Sequence, residues 1–176
     1  MNRRQFAGAG LALPLFFWAG RGGAAVRVNE DVSGVDAAAL SELLDLTLPD
    51  LQGKTEIVRS RLSAEVNIVN FWASWCAPCV REMPALDALH KSDANVSVLG
   101  ISLDTAANIE AFARKTPVSY PLLTAGAGKI SLMRKLGNTK GGLPYTLVLD
   151  KDLKPAATIL GEIEMDSLKS FIANRS

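Results

Sequence analysis

The chain has few residues that bind metals and little excess charge of either sign. It contains two cysteines and one histidine, His90, whereas a closed zinc site needs about four ligands. No metal site is therefore expected, and His90 is expected to lie exposed near a helix end. The 19 basic and 18 acidic residues give a net charge of +1. Because the basic residues occur in ones and twos, a nucleic-acid partner is not expected.

An apolar run near the N-terminus is too short to cross a membrane. It covers residues 6–19, which is about 14 residues against the roughly 20 that a spanning helix needs. Arg3 and Arg4 precede it and small residues follow it. This pattern is typical of an export signal, and the arginine pair resembles the twin-arginine type. We predict that residues 1–25 are an export signal, cleaved after Ala25 or kept as an anchor, and that the protein is periplasmic.

The rest of the chain has the composition of one globular domain. Hydrophobic residues make up 48% of the sequence, which is enough for a core. We predict an N-terminal extension over residues 26–45, with a short helix that Asp36 could cap. A single domain then covers residues 46–176, and residues 47–54 are predicted to form a turn between two short extended pieces.

Apolar periodicity predicts a central sheet with helices on both faces. Continuous apolar runs predict buried strands, and apolar residues at helical spacing predict helices. Their order, β-α-β-α-β-β-α when the short helix at residues 130–136 is left out, predicts an α/β fold. The predicted strands cover residues 66–72, 96–102, 145–149 and 155–160. The predicted helices cover residues 78–90, 106–115, 130–136 and 165–173, and residues 120–123 are expected to be extended.

Cys76 and Cys79 form a C-x-x-C pair between the first of these strands and the helix that follows. Cysteines three apart on a helix are separated by about 5–6 Å, which is within the span of a disulfide. Cys76 lies where the helix begins, and there the free N–H groups and the helix dipole favour a thiolate. We therefore predict that Cys76 attacks a disulfide and that Cys79, more deeply buried, resolves the mixed disulfide.

Three other interpretations of the cysteine pair stay open. A structural disulfide is possible, although so short a loop removes little chain entropy. The two thiolates could carry Cu(I) as a metallochaperone, which a copper titration of the reduced protein would reveal. A peroxidase related to the peroxiredoxins would consume peroxide, although such enzymes use a lone cysteine in a different setting.

Three short motifs resemble the thioredoxin superfamily, and within it the exported TlpA/ResA/DsbE-type thiol–disulfide oxidoreductases. The motifs are residues 72–79 (WASWCAPC), residues 81–84 (REMP) and residues 142–146 (GLPYT). The resemblance implies a thioredoxin fold with an N-terminal β-hairpin extension over residues 46–62 and a central insert over residues 103–130.

The resemblance also implies roles for individual residues. It gives the two cysteines the roles of nucleophile and resolving thiol. Pro144 would be a cis-proline facing the dithiol, and the backbone of Leu143 would pair with an extended substrate segment. Trp75, together with Trp72, would form an apolar rim around the site. The alternative is that they only pack in the core, which suits Trp72 better than Trp75.

Asn70 and Glu82 distinguish the chain from thioredoxin itself. Asn70 occupies the place of a buried aspartate in thioredoxin, and an amide cannot take the proton of Cys79. Glu82, three residues beyond Cys79, matches an acidic residue that ResA- and DsbE-like proteins place near the dithiol. A partly buried carboxyl group should have a raised pKa and could relay this proton. The alternative is that Glu82 is a solvated helix residue.

The predicted function is therefore that of an exported protein-disulfide reductase, with the direction of electron flow left open. By resemblance, its substrates would be protein disulfides in cytochrome c or cytochrome oxidase assembly. Electrons would come from a membrane thiol reductant, because no glutathione pool serves the periplasm. The sequence has no nicotinamide or flavin motif, so no cofactor is expected, and the protein is expected to be a monomer.

Overall fold

The computed structural model describes residues 25–175, so the predicted export signal, apart from Ala25, lies outside the described residues. Within this range, none of the helices combines the length and the apolar character that a membrane span requires. The α-helices are α1 (Ala37–Asp45), α2 (Ala77–Ser92), α3 (Ala106–Ala113), α4 (Ile130–Lys135) and α5 (Met165–Ala173). The β-strands are β1 (Thr47–Pro49), β2 (Thr55–Ile57), β3 (Val66–Trp72), β4 (Val96–Ser102), β5 (Leu122–Thr124), β6 (Tyr145–Asp150) and β7 (Pro155–Leu160).

Five strands form a central sheet in the order β5-β4-β3-β6-β7. β3 runs parallel to β4 and antiparallel to β6, and it is buried along its whole length, as its apolar run predicts. The predicted α/β architecture is confirmed. The four predicted strands correspond to β3, β4, β6 and β7, and the predicted helices end within two residues of the observed ones.

The two faces of the sheet are covered by different helices. Along β3, Val66 and Ile68 belong to the core that includes α2 and α5, whereas Val69 and Phe71 belong to the core that includes α1 and α4. This alternation follows from the two-residue period of a strand. The same period places the side chain of Asn70 on the face that α2 covers.

A helix and a hairpin precede the sheet. The carboxylate of Asp36 accepts a 2.8 Å hydrogen bond from the N–H of Ala39 and so caps α1, as predicted. β1 and β2 pair in antiparallel fashion as a separate two-stranded sheet. A turn between two short extended pieces is thus confirmed, but it covers residues 50–54, because residues 47–49 of the predicted turn form β1. α1 buries Leu43 in a core that it shares with the central sheet.

The edge strand β5 is the main addition to the predicted topology. Residues 120–123 are predicted only to be extended, and the structure instead has a three-residue strand parallel to β4, with Leu122 opposite Gly100. A strand of this length is too short for a hydrophobic period to be recognised. Pairing with β4 therefore defines it, and together with α3 it belongs to the predicted central insert.

Candidate active site

The cysteine pair lies at the start of α2, just after the end of β3. Cys76 is the N-cap residue of α2, and its N–H donates to the carbonyl of Ala73 at 3.1 Å. Cys76 and Cys79 are joined as a disulfide, with their Cα atoms 5.3 Å apart. The predicted separation is confirmed, and at this distance the bond can form and break with little movement of the backbone.

The position of Cys76 at the helix end favours its thiolate. The N–H of Cys79 donates to the sulfur of Cys76 at 3.4 Å, and the positive end of the α2 dipole lies at the same place. Both effects stabilise a negative charge on this sulfur in the reduced protein. Cys79 has no exposed surface, whereas Cys76 is 5% exposed. Cys76 is therefore the more accessible of the two cysteines.

Glu82 is a buried carboxyl group on α2, three residues beyond Cys79. Its side chain is only 3% exposed, which excludes the alternative of a solvated helix residue. Burial raises the pKa of Glu82 to about 7, although hydrogen bonds from Ile163 and Asn70 act against this rise. The negative charge of Glu162 acts in the same direction as burial. A carboxyl group with this pKa can accept and release a proton near neutral pH.

Two hydrogen bonds fix the orientation of the Glu82 carboxyl group. Nδ2 of Asn70 donates to Oε1 at 2.8 Å, and the main-chain N–H of Ile163 donates to Oε2 at 3.0 Å. Nδ2 of Asn70 also donates to Oγ1 of Thr146 on β6, at 2.9 Å. Neither of these two hydrogen bonds to Glu82 can be predicted from the motif at residues 81–84. Asn70 stands out in the sequence only as a departure from thioredoxin, and a main-chain N–H leaves no signal in a side-chain pattern.

The peptide bond between Leu143 and Pro144 is cis and precedes β6. The carbonyl of Pro144 accepts a 2.9 Å hydrogen bond from the N–H of Gly161. Among residues 25–175, no hydrogen-bond partner is found for the backbone N–H and C=O of Leu143. These two groups are therefore not used in pairing within the described part of the chain.

A buried asparagine holds the loop that leads to Leu143. Asn138 is 1% exposed, and its Oδ1 accepts hydrogen bonds from the N–H groups of Gly141 and Gly142 at 3.0 and 3.2 Å. Its Nδ2 donates to the carbonyl of Gly142 at 2.7 Å. The amide thus replaces regular main-chain pairing and fixes the path of the loop. The only sequence signal for it is an asparagine within a glycine-rich stretch, which is typical of a turn.

Trp75 is exposed beside a mostly apolar groove. Its side chain is 71% exposed, and the groove has a volume of about 290 Å³. The residues that line it include Trp75, Leu103, Thr105, Ala127, Ile130 and Leu143. Trp72, expected at the same rim, is fully buried instead, with its ring 5.1 Å from that of Phe112 in α3. The structure thus supports the alternative of core packing for Trp72, because this last residue of β3 faces the core under α2.

Asp104 links the loop before Cys76 to the central insert. Its carboxylate accepts hydrogen bonds from the hydroxyl of Ser74, from Nδ2 of Asn108 and from the N–H of Thr105, the last two at 2.7 Å. From the sequence, Asp104 could be recognised only as a possible helix cap. In the structure Thr105 is the N-cap residue of α3, and Asp104 connects two loops.

The described part of the chain has no cluster of three or more His, Cys, Asp and Glu side chains arranged around a metal. His90 lies in the last turn of α2 and is half-buried. Its ring packs edge-on against Tyr120, with the centroids 6.3 Å apart. The expectation that His90 is exposed is therefore wrong, because Tyr120, just before β5, packs against it.

The chain is similar in sequence and in fold to known proteins. Residues 40–155 match the AhpC/TSA family. The thiol-disulfide oxidoreductase ResA of Bacillus cereus is 27% identical over 135 residues, which cover 74% of this chain and 75% of ResA. A thioredoxin-related protein from Neisseria meningitidis serogroup B is 39% identical, with a TM-score of 0.64 over 73% of this chain and 97% of its own. A secreted Mycobacterium tuberculosis disulfide oxidoreductase, homologous to E. coli DsbE, shares the fold at 19% identity, with a TM-score of 0.61 over 76% and 98% of the two chains.

Proposed function

The chain belongs to the AhpC/TSA family and is a thiol–disulfide oxidoreductase related to ResA, and on this basis we propose that it reduces protein disulfides in an oxidising compartment outside the cytoplasm. The observation that carries the proposal is the placement of Cys76 and Cys79 at the start of α2, with Glu82 buried next to them along the helix. This arrangement provides a nucleophile, a resolving thiol and a proton acceptor.

In the proposed reaction, the thiolate of Cys76 attacks one sulfur of the substrate disulfide. A bond forms between Cys76 and that sulfur, the substrate disulfide breaks, and its other sulfur leaves as a thiolate. The thiolate of Cys79 then attacks the sulfur of Cys76, which closes the disulfide between them, breaks the mixed disulfide and releases the second substrate sulfur as a thiolate. Two electrons pass from the dithiol to the substrate.

Glu82 is proposed to take the proton of Cys79 in the second step. Cys79 must become a thiolate before it can attack, and because it is fully buried, bulk water does not reach it. Residues three apart on a helix lie on the same face, which puts the Glu82 carboxyl group on the side of Cys79. With a pKa of about 7, this group can hold the proton and later release it.

Substrate binding is assigned to Trp75, Leu143 and Pro144. The unpaired backbone of Leu143 can add an extended substrate segment in the manner of a β-strand. Because Trp75 is exposed next to Cys76 in the sequence, its indole can cover apolar residues that flank the substrate cysteine. Pro144 connects this segment to β6.

We further propose that the substrates are cysteine pairs in proteins of cytochrome c or cytochrome oxidase assembly. The resemblance to the TlpA/ResA/DsbE-type proteins supports this proposal, and the predicted export signal at residues 1–25 supports a periplasmic location. Because no glutathione pool serves that compartment, a membrane thiol reductant would return the Cys76–Cys79 disulfide to the dithiol. The protein would act as a monomer and without a cofactor.

Trapping of substrates tests the proposal. In Cys79→Ala the first step can occur but the second cannot, so mixed disulfides should accumulate in the native compartment, whereas Cys76→Ala should trap none. The dithiol of the purified protein should have a potential below about −220 mV. A potential near that of a strong oxidant, about −120 mV, would reverse the proposed direction. Tight one-to-one Cu(I) binding without disulfide reduction would favour a metallochaperone instead.

A further inference from the structure

The loop between β7 and α5, residues 161–164, contacts separate parts of the candidate active site. The N–H of Gly161 donates to the carbonyl of Pro144 at 2.9 Å, and the N–H of Ile163 donates to Glu82 at 3.0 Å. The loop therefore connects the cis-proline segment to the helix that carries the two cysteines.

An ion pair between Arg81 and Glu162 lies directly beside the buried bond from Ile163 to Glu82. Nη2 of Arg81 is 2.6 Å from Oε2 of Glu162, and Nε is 3.2 and 3.1 Å from the two carboxylate oxygens. A planar guanidinium that contacts both oxygens restricts their orientation more than a single contact does. The side chain of Arg81 is 49% exposed and that of Glu162 is 23% exposed, so the ion pair lies at the protein surface. The hydrogen bond from Ile163 to Glu82 lies in the interior next to it.

The N-terminal segment holds the main chain of the same loop. The N–H of Val26 donates to the carbonyl of Glu162 at 2.6 Å, and the carbonyl of Val26 accepts from the N–H of Glu164 at 2.9 Å. Gly161 has a φ of 115°, which other residues rarely adopt, and a Cβ there would lie 2.9 Å from Cγ2 of Val26. These contacts hold the loop to the N-terminal segment, and Arg81 supplies a side-chain contact that ties it to α2.

We propose that Arg81 is a positioning residue for Glu82: its ion pair with Glu162 holds the N–H of Ile163 against the buried carboxyl group. This inference rests on the proposed role of Glu82 as proton acceptor. The hydrogen bond from Ile163 favours the carboxylate, and the negative charge of Glu162 disfavours it. Arg81 keeps the N–H of Ile163 in place, and its positive charge offsets the negative charge of Glu162. Both actions favour the carboxylate form of Glu82.

The other groups that face Glu82 do not duplicate this effect. Asn70 is neutral, and Cys79 on the same helix does not ionise while it is in the disulfide. The pKa of Tyr120 is raised mainly by burial and further by the negative charge of Glu82, so its phenol stays neutral. Arg81 and Glu162 are therefore the charged pair whose change should be felt at Glu82.

The test is a titration of Glu82 in the oxidised protein, followed by NMR of the side-chain carboxyl carbon. Arg81→Met should raise the midpoint of Glu82 by up to about half a pH unit, because an ion pair at the protein surface is a weak interaction. Arg59→Met is the matched control. Arg59 contacts Asp45 through two nitrogens and is 47% exposed, but this pair belongs to α1 and the turn after β2. The control should leave the midpoint unchanged.

An unchanged midpoint in Arg81→Met, or an equal rise in Arg59→Met, would overturn the inference. Exposed ion pairs contribute little to stability, so both variants are expected to fold, and Arg81→Gln provides a second neutral replacement.

The titration does not depend on catalysis. If Glu82 has no catalytic role, Glu82→Gln will reduce protein disulfides at the wild-type rate, and the midpoint in Arg81→Met will still decide whether Arg81 positions Glu82.

Discussion

The amide nitrogen of Asn70 lies 2.8 Å from Oε1 of Glu82, so a neutral donor on β3 meets a buried carboxyl group on α2. Both side chains are inaccessible to solvent or nearly so. The bond favours the carboxylate, yet burial dominates and the pKa of Glu82 is raised to about 7. Asn70 thus supports the charged form of Glu82 without adding a second negative charge to the buried site.

Asn70→Asp is expected to make the stability of the protein strongly dependent on pH. Two carboxyl groups at this distance cannot both ionise in a buried site, so the pair should retain one proton well above the usual range. We expect the variant to be less stable than the wild type by about 2–3 kcal/mol near pH 8, and by less near pH 5. Urea unfolding of the oxidised protein at the two pH values measures the difference.

The control for this variant is Asn70→Asp combined with Glu82→Gln, which keeps the new carboxyl group but removes its neighbour. The double variant should lose the part of the destabilisation that depends on pH. If it keeps that part, repulsion between the two carboxyl groups is not its cause.

The raised pKa of Glu82 itself gives the wild type a defined pH dependence. The ordinary value is 4.5 and the folded value is about 7, so between them the folded state holds a proton that the unfolded chain releases. The contribution of Glu82 to stability is therefore most favourable below the ordinary value, falls as the pH rises through this window, and levels off above it. The total change corresponds to about 3 kcal/mol.

Comparison with Glu82→Gln isolates this effect, because the other titrating groups are common to both proteins. Urea unfolding measures the free energy of unfolding of the two oxidised proteins from about pH 4 to about pH 8. The difference between the two free energies should change between pH 4.5 and about pH 7. Two stability curves that run parallel would mean that Glu82 titrates near its ordinary value in the folded state.

The central part of the fold is predictable because its elements carry strong local patterns. β3 is a nearly continuous apolar run, and Asp36 is a capping residue placed directly before helical periodicity. β5 lacks such a pattern, because it has three residues and its position depends on pairing with Gly100 of β4. Local sequence therefore predicts the long elements, and tertiary pairing decides the short ones.

The same distinction applies to the site. Cys76, Cys79 and Glu82 lie on one helix, so their spacing alone predicts that they are neighbours. The bond from Ile163 to Glu82 spans 81 positions and uses a main-chain N–H, so no side chain marks it. Asp104 is a buried charge whose partner, Ser74, lies in another loop, and the sequence pattern alone does not distinguish it from a helix cap.

Trp72 and Trp75 are expected to respond differently to replacement by alanine. Trp72 is fully buried, so Trp72→Ala should destabilise the protein by about 3–5 kcal/mol. Trp75 is 71% exposed, so Trp75→Ala should change the free energy of unfolding by no more than about 0.5 kcal/mol. Trp75→Ala should nevertheless slow the reduction of a disulfide in an unfolded protein, because an apolar contact beside Cys76 is lost.

A small-molecule disulfide provides the control for Trp75, since it is too short to reach the groove. Its reduction by Trp75→Ala should proceed at the wild-type rate. An equal loss of rate with both substrates would show that Trp75 affects the cysteines themselves rather than the binding of the substrate chain.

Gly100 in β4 lies where a side chain would collide with the packing around Trp72. A Cβ at this position would lie 2.6 Å from Cδ2 of Leu122 and 3.2 Å from Nε1 of Trp72. The end of the Leu122 side chain can shift, but the indole of Trp72 is fully buried among close-packed neighbours. Gly100→Ala is therefore expected to lower the free energy of unfolding by about 1–3 kcal/mol, measured by urea unfolding of the oxidised protein.

Gly128 is the matched control, because a Cβ there would meet no atom within 4 Å. Gly128→Ala should be neutral or stabilise the protein by up to about 1 kcal/mol, since alanine restricts the unfolded chain more than glycine does. The same entropic gain applies at Gly100, so the difference between the two variants measures the cost of the collision. Equal stabilities would mean that Leu122 and Trp72 move aside freely and that β4 tolerates a side chain at this point in the sheet.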